Sequence, residues 1–168
     1  MPQGHGQSVL ARLDSAFARE PNGTTRFDDT FEVYGYQADE TLSLAALSFT
    51  FAATAHAQPC FATRIIDGRS VIVYGADDGP SDALADLARD ADLLVLEVTY
   101  LDDEQTASTH GHMTAGQASE LAAAARASRL LLTHTIADTP EADLLRLAAQ
   151  SFAGPIDLAR EGYRYETS

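Results

Sequence analysis

The stretch Asp92-Leu93-Leu94-Val95-Leu96-Glu97-Val98 decides the fold class of this 168-residue chain. Its apolar run is continuous instead of alternating, which is typical of a strand buried on both faces of a sheet. A second such run, Leu130-Leu131-Leu132-Thr133, and a short late strand, Pro155-Ile156-Asp157-Leu158, follow it along the chain. Helical segments separate these strands, so the order of elements predicts an α/β layered domain.

Three helices are predicted around these strands from apolar spacing and from capping residues. The first runs from Ser81, a plausible N-cap, to Arg89, and the second from Thr114 to Ala127. The third continues to about Gln150, and Thr139 is predicted as its N-cap because Pro140 suits the first helical position.

The part of the chain before Ser81 is predicted to be mainly β-structure. Two β-rich runs flank Asp67-Gly68, which is a hairpin signal because the turn requires positive φ. The predicted elements are an amphipathic helix at Ser8–Ala18, a strand at Phe31–Tyr36, a mixed segment at Leu42–Thr54 that is strand-like from Leu47, and hairpin strands at Cys60–Ile66 and Arg69–Tyr74. We expect residues 1–168 to form a single domain, since this length suits one core.

The charge balance is strongly acidic, with 25 Asp and Glu against 11 basic residues, all of them Arg, and a net charge of −14. Such a surface repels nucleic acid at ordinary salt, because the electrostatic part of that binding comes from cations that meet phosphates. Two interpretations remain open: an acidic surface that excludes some substrates, or the solubility adaptation of a halophile. We prefer the second, since molar salt screens repulsion among carboxylates.

The sequence contains neither an apolar run of about 18 residues nor a basic segment followed by an apolar one at its start. We therefore predict no transmembrane helix, no association with a membrane and a cytoplasmic location.

Four polar side chains lie where predicted strands end: His56, Asp77, Glu97 and His134. Ligands of α/β sheets bind outside the carboxyl ends of strands, and imidazoles with a bridging carboxylate suit zinc or manganese. Each residue alone has a simpler interpretation, since Asp77 suits a turn and a histidine after a strand is often only solvated. From spacing alone, a metal site and unrelated loop residues remain equally open.

A set of five motifs resembles the second half of the metallo-β-lactamase fold, in its ribonuclease Z-like branch. The matching runs are His56-Ala57-Gln58-Pro59 before the hairpin, Tyr74-Gly75-Ala76-Asp77-Asp78-Gly79-Pro80, Ala91-Asp92-Leu93-Leu94-Val95-Leu96-Glu97, His112-Met113-Thr114-Ala115-Gly116-Gln117-Ala118 and Leu130-Leu131-Leu132-Thr133-His134. The resemblance implies one half of an αββα sandwich, a mixed sheet with helices on one face.

The resemblance also implies roles for individual residues. His56 and His134 resemble histidine ligands of two different metals, and Asp77 resembles the aspartate that bridges both. His112 resembles the histidine that protonates the leaving group or holds the scissile phosphate, and Glu97 resembles the carboxylate that orients it. The implied cofactor is zinc, two ions in the complete family site, with manganese as an alternative.

Two departures from the family pattern affect this interpretation. Ala76 stands where the family has a glycine, so its Cβ could shift Asp77. The family signature His-x-His-x-Asp-His does not occur in these 168 residues. Since three ligands leave at least one metal with too few donors, we expect weak binding, or none, of a metal pair by the isolated chain.

The function predicted from the resemblance is metal-dependent hydrolysis, of phosphodiesters first, active only when the site is completed. The alternative is a non-catalytic module or pseudo-enzyme; a small α/β domain unrelated to metals is a weaker interpretation. We favour a truncated enzyme over a half that pairs with a separate partner or forms a homodimer. Substrates left open are cyclic nucleotides, lactones and thioesters, and the acidity makes transfer RNA precursors less favoured.

Overall fold

The computed structural model describes residues 30–32, 34–101, 111–136 and 139–165. The chain divides into two compact units, residues 1–37 and 38–168, and the architecture given below is that of the second unit. The helix predicted at Ser8–Ala18 lies outside the described residues, and the single domain over 1–168 stays a prediction.

Seven strands form one sheet, and their order in space follows their order in the chain. They are β1 (Thr41–Leu44), β2 (Leu47–Ala53), β3 (Phe61–Ile66), β4 (Val71–Tyr74), β5 (Leu93–Glu97), β6 (Leu130–Thr133) and β7 (Ile156–Leu158). The strand pairs from β1 to β4 are antiparallel, and those from β4 to β7 are parallel. The predicted α/β class with a mixed sheet is confirmed.

The alternation of directions places four strand ends at one edge of the sheet. The strands β4, β5 and β6 are parallel, so their carboxyl ends meet at the same edge. The strand β2 is antiparallel to β3, which is antiparallel to β4, so β2 also ends at this edge. The residues that follow these four strands therefore converge.

Three helices connect or follow the parallel strands: α1 (Asp82–Leu87), α2 (Ala115–Ala124) and α3 (Glu141–Ala148). Ser81 caps α1 by accepting from the Leu84 N–H, as predicted. Thr114 begins α2 with a reciprocal capping box that includes Gln117, because each side chain binds the other residue's backbone N–H.

The predicted start of α3 is wrong by one residue. Pro140, with extended backbone angles, is the N-cap, and its side chain makes no capping hydrogen bond. Thr139 therefore lies one position too early to cap the helix. The proline has no N–H and a fixed φ, so it serves at the boundary as well as one position inside it.

The helices pack on one face of the sheet and enclose the hydrophobic core. Alternate residues of the three central strands point into it, and all are fully buried: Val73, Leu94, Leu96, Leu130 and Leu132. Leu84, Leu121 and Leu144 meet them from the three helices. Each fully buried Leu contributes roughly 1.5–3 kcal/mol to folding, which keeps the strand ends in fixed register.

The opposite face of the sheet is less covered near its antiparallel edge. Leu42 and Leu44 of β1 are 45% and 64% exposed, and Tyr74 of β4 is 47% exposed. None of the helices in the described residues is long and apolar enough to cross a membrane.

The first strand of the sheet was not predicted. The sequence indicated a strand only from Leu47, but residues 41–44 pair with β2 through a turn at Ala45 and Ala46. Ala45 has a φ of 52°, a conformation that hairpin turns usually assign to Asn or Gly. In the strand predicted at 31–36, none of the described residues belongs to an extended strand; Tyr36 alone makes a β-bridge.

Candidate active site

A carboxylate and an imidazole form the best-defined pair at the sheet edge. Glu97, the last residue of β5, has a side chain only 1% exposed, and its Oε1 lies 2.6 Å from His112 Nδ1. The backbone holds His112 there, because Tyr100 N–H donates to Met113 O and Tyr100 pairs with Thr114 in a β-bridge. Since an ionised carboxylate only accepts, Nδ1 carries the proton and Nε2 is left as the reactive nitrogen.

His134 follows β6 directly and lies beside both carboxylates. Its Nδ1 is 3.4 Å from Asp77 Oδ1 and 3.9 Å from Glu97 Oε2, and its ring centroid is 5.9 Å from that of His112. Its φ is 54°, which is uncommon for a residue other than glycine and recurs at functional sites. The side chain is 53% exposed and therefore open to a ligand.

His56 lies beside His112, and the residue before it is bound to the turn after β4. Its ring meets that of His112 edge to face, with centroids 5.1 Å apart. The preceding residue, Ala55, donates its N–H to Asp78 Oδ1 at 2.6 Å, so the carboxyl of Asp78 ties the end of β2 to the turn after β4. The sequence-predicted residues thus lie at one edge of the sheet.

The turn after β4 shows whether the Cβ of Ala76 displaces Asp77 from the site. This residue adopts a φ of 57°, in the left-handed region where glycine avoids a steric cost. The alanine occupies that conformation all the same, and Asp77 still reaches His134. The substitution therefore strains the turn without removing the carboxylate from the site.

Asp78 is a buried carboxyl that the sequence analysis did not single out. It is 0% exposed, and among the described residues no group binds its Oδ2. Loss of hydration raises the pKa of the Asp78 carboxyl to about 6, and the hydrogen bond from Ala55 N–H opposes that shift.

This raised pKa predicts a pH-dependent stability for the metal-free chain. Well below pH 3.8 the carboxyl is protonated in both the folded and the unfolded state. As the pH rises from about 4 to about 6, the folded state loses stability, because the carboxyl ionises in the unfolded state before it ionises in the folded state. We expect the free energy of unfolding to fall by roughly 2 kcal/mol across this range. Asp78→Asn should lack it. Urea unfolding of both proteins across this range measures the difference, and identical pH profiles would contradict the assignment.

Gly111 lets the segment that carries His112 approach His56. Its φ is 109°, and a Cβ at this position would lie 2.9 Å from His56 Cα and 3.1 Å from Ala55 O. Both atoms are backbone, so neither can move cheaply. The glycine is therefore a packing requirement of the site.

Gly111→Ala should destabilise the chain by roughly 1–3 kcal/mol, from backbone strain and overpacking. It should also weaken the ring contact between His56 and His112. The matched control is Gly116→Ala in α2, where a Cβ meets only Thr114 Oγ1 at 3.8 Å and helix propensity improves. Denaturant unfolding checks both variants, and equal stability of the two would refute the packing argument.

The donor atoms in this region suit a metal ion. One nitrogen or carboxylate oxygen each from Glu97, His112 and His134 lie within 4.8 Å of one another. This group shares His134 with the predicted ligands His56, Asp77 and His134, but its other members are the residues predicted to act in catalysis. Imidazole and carboxylate donors suit zinc and manganese.

Thr99 was missed by the sequence analysis although it contacts three of these side chains. Its hydroxyl lies 2.6 Å from Glu97 Oε2 and 3.3 Å from the Nδ1 atoms of both His112 and His134. The sole signal in the sequence is a hydroxyl residue two positions after the strand-end carboxylate.

A family model described as a β-lactamase superfamily domain matches residues 4–135, most of the chain. The chain belongs to the metallo-β-lactamase superfamily. The resemblance to this superfamily stated from the motifs is thereby confirmed.

Relatives within the metallo-β-lactamase superfamily include two curated bacterial proteins. The chain is 35% identical over 131 residues to the Bacillus subtilis protein named Probable metallo-hydrolase YhfI, covering 78% of this chain and 53% of that protein. It is 41% identical over 102 residues to Ribonuclease Z of Myxococcus xanthus, covering 59% and 33%. The chain thus spans about half the length, or less, of these relatives.

Two solved structures share the fold of this chain. The crystal structure of Bacillus subtilis YhfI, a metallo-β-lactamase fold protein, matches with a TM-score of 0.76 and 29% identity, covering 90% of this chain and 59% of that chain. Human tRNase Z, short form, matches with a TM-score of 0.67 over 99% of this chain and 66% of its own. At 18% identity the second likeness shows the fold alone.

Proposed function

We propose that the chain supplies half of a metal-dependent phosphodiesterase site, with His56, Asp77 and His134 as metal ligands and Glu97 with His112 as the acid–base pair. The observation that supports the proposal most is the 2.6 Å hydrogen bond between Glu97 and His112, beside the Asp77 and His134 pair. A carboxylate-oriented imidazole next to separate metal donors is what hydrolysis of a phosphodiester requires.

The roles proposed for Glu97, Asp77 and His134 follow from how deeply each side chain is buried. Glu97 is almost fully buried and already binds His112 Nδ1 and two groups of Thr99, so it has little freedom to turn toward an ion. The side chains of Asp77 and His134 are 42% and 53% exposed to solvent and therefore accessible to an ion. This favours Asp77 and His134 as ligands, and Glu97 as the group that orients His112.

Zinc or manganese, when bound, would activate a water molecule and neutralise charge on the phosphoryl group. The protein's own contribution would be the proton at His112 Nε2, given to the departing oxygen. Glu97 stabilises the charged imidazole and keeps its proton on Nδ1 during that transfer.

The substrate is proposed to be a short phosphodiester and not a long RNA. The relatives named Ribonuclease Z point to phosphodiester chemistry. The net charge of −14 opposes the binding of a long polyanion. Bis(4-nitrophenyl) phosphate, which offers one diester and little charge, is therefore a suitable probe.

The direct test measures metal content with zinc or manganese for the purified chain, and diester cleavage for the chain completed by a segment that carries the His-x-His-x-Asp-His signature. The proposal expects metal bound by the chain and turnover by the completed protein, both lost in His134→Ala. Metal binding without turnover, or no metal binding, would support the second candidate, a non-catalytic module that pairs with another chain or with a second copy. The exposed Leu42 and Leu44 on the face opposite the helices favour that candidate, and light scattering of the purified chain would detect a homodimer.

A further inference from the structure

The hydroxyl of Thr99 lies at the centre of the candidate site. Thr99 follows β5 by two residues, and both its N–H and its hydroxyl bind Glu97 Oε2, at 2.9 and 2.6 Å. The same oxygen atom, Oγ1, is 3.3 Å from His112 Nδ1 and 3.3 Å from His134 Nδ1. One side chain therefore connects the acid–base pair with a proposed metal ligand.

The direction of these hydrogen bonds can be worked out from donor and acceptor capacity. A hydroxyl has one proton and two lone pairs, and the ionised carboxylate of Glu97 only accepts. The Thr99 hydroxyl therefore donates its proton to Glu97 Oε2, and Thr99 Oγ1 can only accept a hydrogen bond from an imidazole.

The groups around His134 then determine which of its ring nitrogens carries the proton. Its Nδ1 faces Thr99 Oγ1, Asp77 Oδ1 at 3.4 Å and Glu97 Oε2 at 3.9 Å, all of which are acceptors. A neutral His134 is consequently held with its proton on Nδ1. Its Nε2 keeps the lone pair that a metal ligand needs.

We propose that Thr99 is a positioning residue, whose hydroxyl fixes the Glu97 carboxylate and holds His134 with its proton on Nδ1. The metal-binding consequence rests on the proposed function, whereas the proton position on His134 is a property of the metal-free chain. The competing explanation is that Thr99 only shapes the turn after β5. A purely structural role would depend on the size of the side chain and not on its hydroxyl.

The variants Thr99→Val and Thr99→Ser separate these explanations. Valine keeps the branched shape without the hydroxyl, and serine keeps the hydroxyl without the branch. Long-range proton–nitrogen correlation spectra of the metal-free, full chain show which ring nitrogen of the neutral His134 side chain carries the proton. We expect it on Nδ1 in the wild type and in Thr99→Ser, and a mixture of both forms in Thr99→Val.

A zinc titration of the same three proteins adds a second readout. Thr99→Val should bind zinc about 10–100-fold more weakly, as loss of an outer partner of a ligand does, and Thr99→Ser should restore the affinity. A wild-type His134 with its proton on Nε2 overturns the proposal without any variant. A Thr99→Val protein with unchanged proton position and zinc affinity also overturns it. If the wild type and every variant bind no zinc, the proposed function fails, and the proton position still decides the role of Thr99.

Discussion

Replacing Glu97 with glutamine is expected to lower phosphodiester hydrolysis by about 10²–10⁴-fold, the usual contribution of a positioned acid–base group, while zinc affinity stays close to that of the wild type. Glutamine has the same shape, and its oxygen can still accept from the N–H and hydroxyl of Thr99. Its amide group, however, donates toward His112 Nδ1 and forces the imidazole proton onto Nε2. The charge that stabilises the protonated imidazole is lost as well.

This variant also distinguishes the two sets of possible ligands. If Glu97, His112 and His134 together hold the ion, as their 4.8 Å grouping permits, Glu97→Gln weakens zinc binding in parallel with turnover. Steady-state kinetics of the protein completed by the His-x-His-x-Asp-His segment measure turnover, and calorimetric zinc titration measures affinity. Glu120→Gln on the exposed surface of α2 is the matched control and should change neither. Parallel loss of affinity and rate in Glu97→Gln would contradict the assigned roles.

Replacing His134 should abolish metal binding in practice, with at least a 100-fold loss of zinc affinity, since even outer partners of ligands contribute 10–100-fold. Asparagine is the preferred substitute because it tolerates the left-handed backbone that His134 adopts at a φ of 54°. The side chain is 53% exposed, so the core remains intact. Turnover should fall with the affinity.

A matched pair of aspartate variants controls for loss of charge. Asp77→Asn should also weaken zinc binding, whereas Asp90→Asn removes another solvent-exposed carboxylate, which is paired with Arg126 and lies outside the site. Calorimetry on the three variants, with circular dichroism to verify folding, measures the effect. Unchanged zinc affinity in His134→Asn and Asp77→Asn would exclude these residues as ligands.

The part of the fold that depends on burial was predictable from the sequence. The continuous apolar runs at 93–96 and 130–132 form strands with helices on one face, and the Asp67-Gly68 turn joins β3 to β4 with Gly68 at a φ of 87°. These patterns are strong because burial restricts which residues are tolerated. In contrast, β1 is only four residues long and exposed along its length. Its turn contains two alanines, so no typical turn residue marked where its short alternation of Leu42 and Leu44 with polar residues ends.

The residues of the candidate site divide in the same way. Side chains that follow strands could be placed at one edge, because the direction of β2 and of the parallel strands determines where they end. The contacts of Thr99 and Asp78 could not be predicted from the sequence, because each joins segments that are far apart in the chain and meet at hydrogen-bond distance. Gly111 could not be predicted either, because a side chain is excluded there only by the backbone of His56, which lies close in space.

Zinc-edge anomalous diffraction from crystals of this chain grown with zinc tests most directly whether this sheet edge is a metal site. The account predicts an anomalous peak about 2.0–2.1 Å from an imidazole nitrogen of His134, with Asp77 as a second ligand, and with Glu97 still bound to His112. A peak held by Glu97 and His112, or zinc bound elsewhere on the acidic surface, would contradict it.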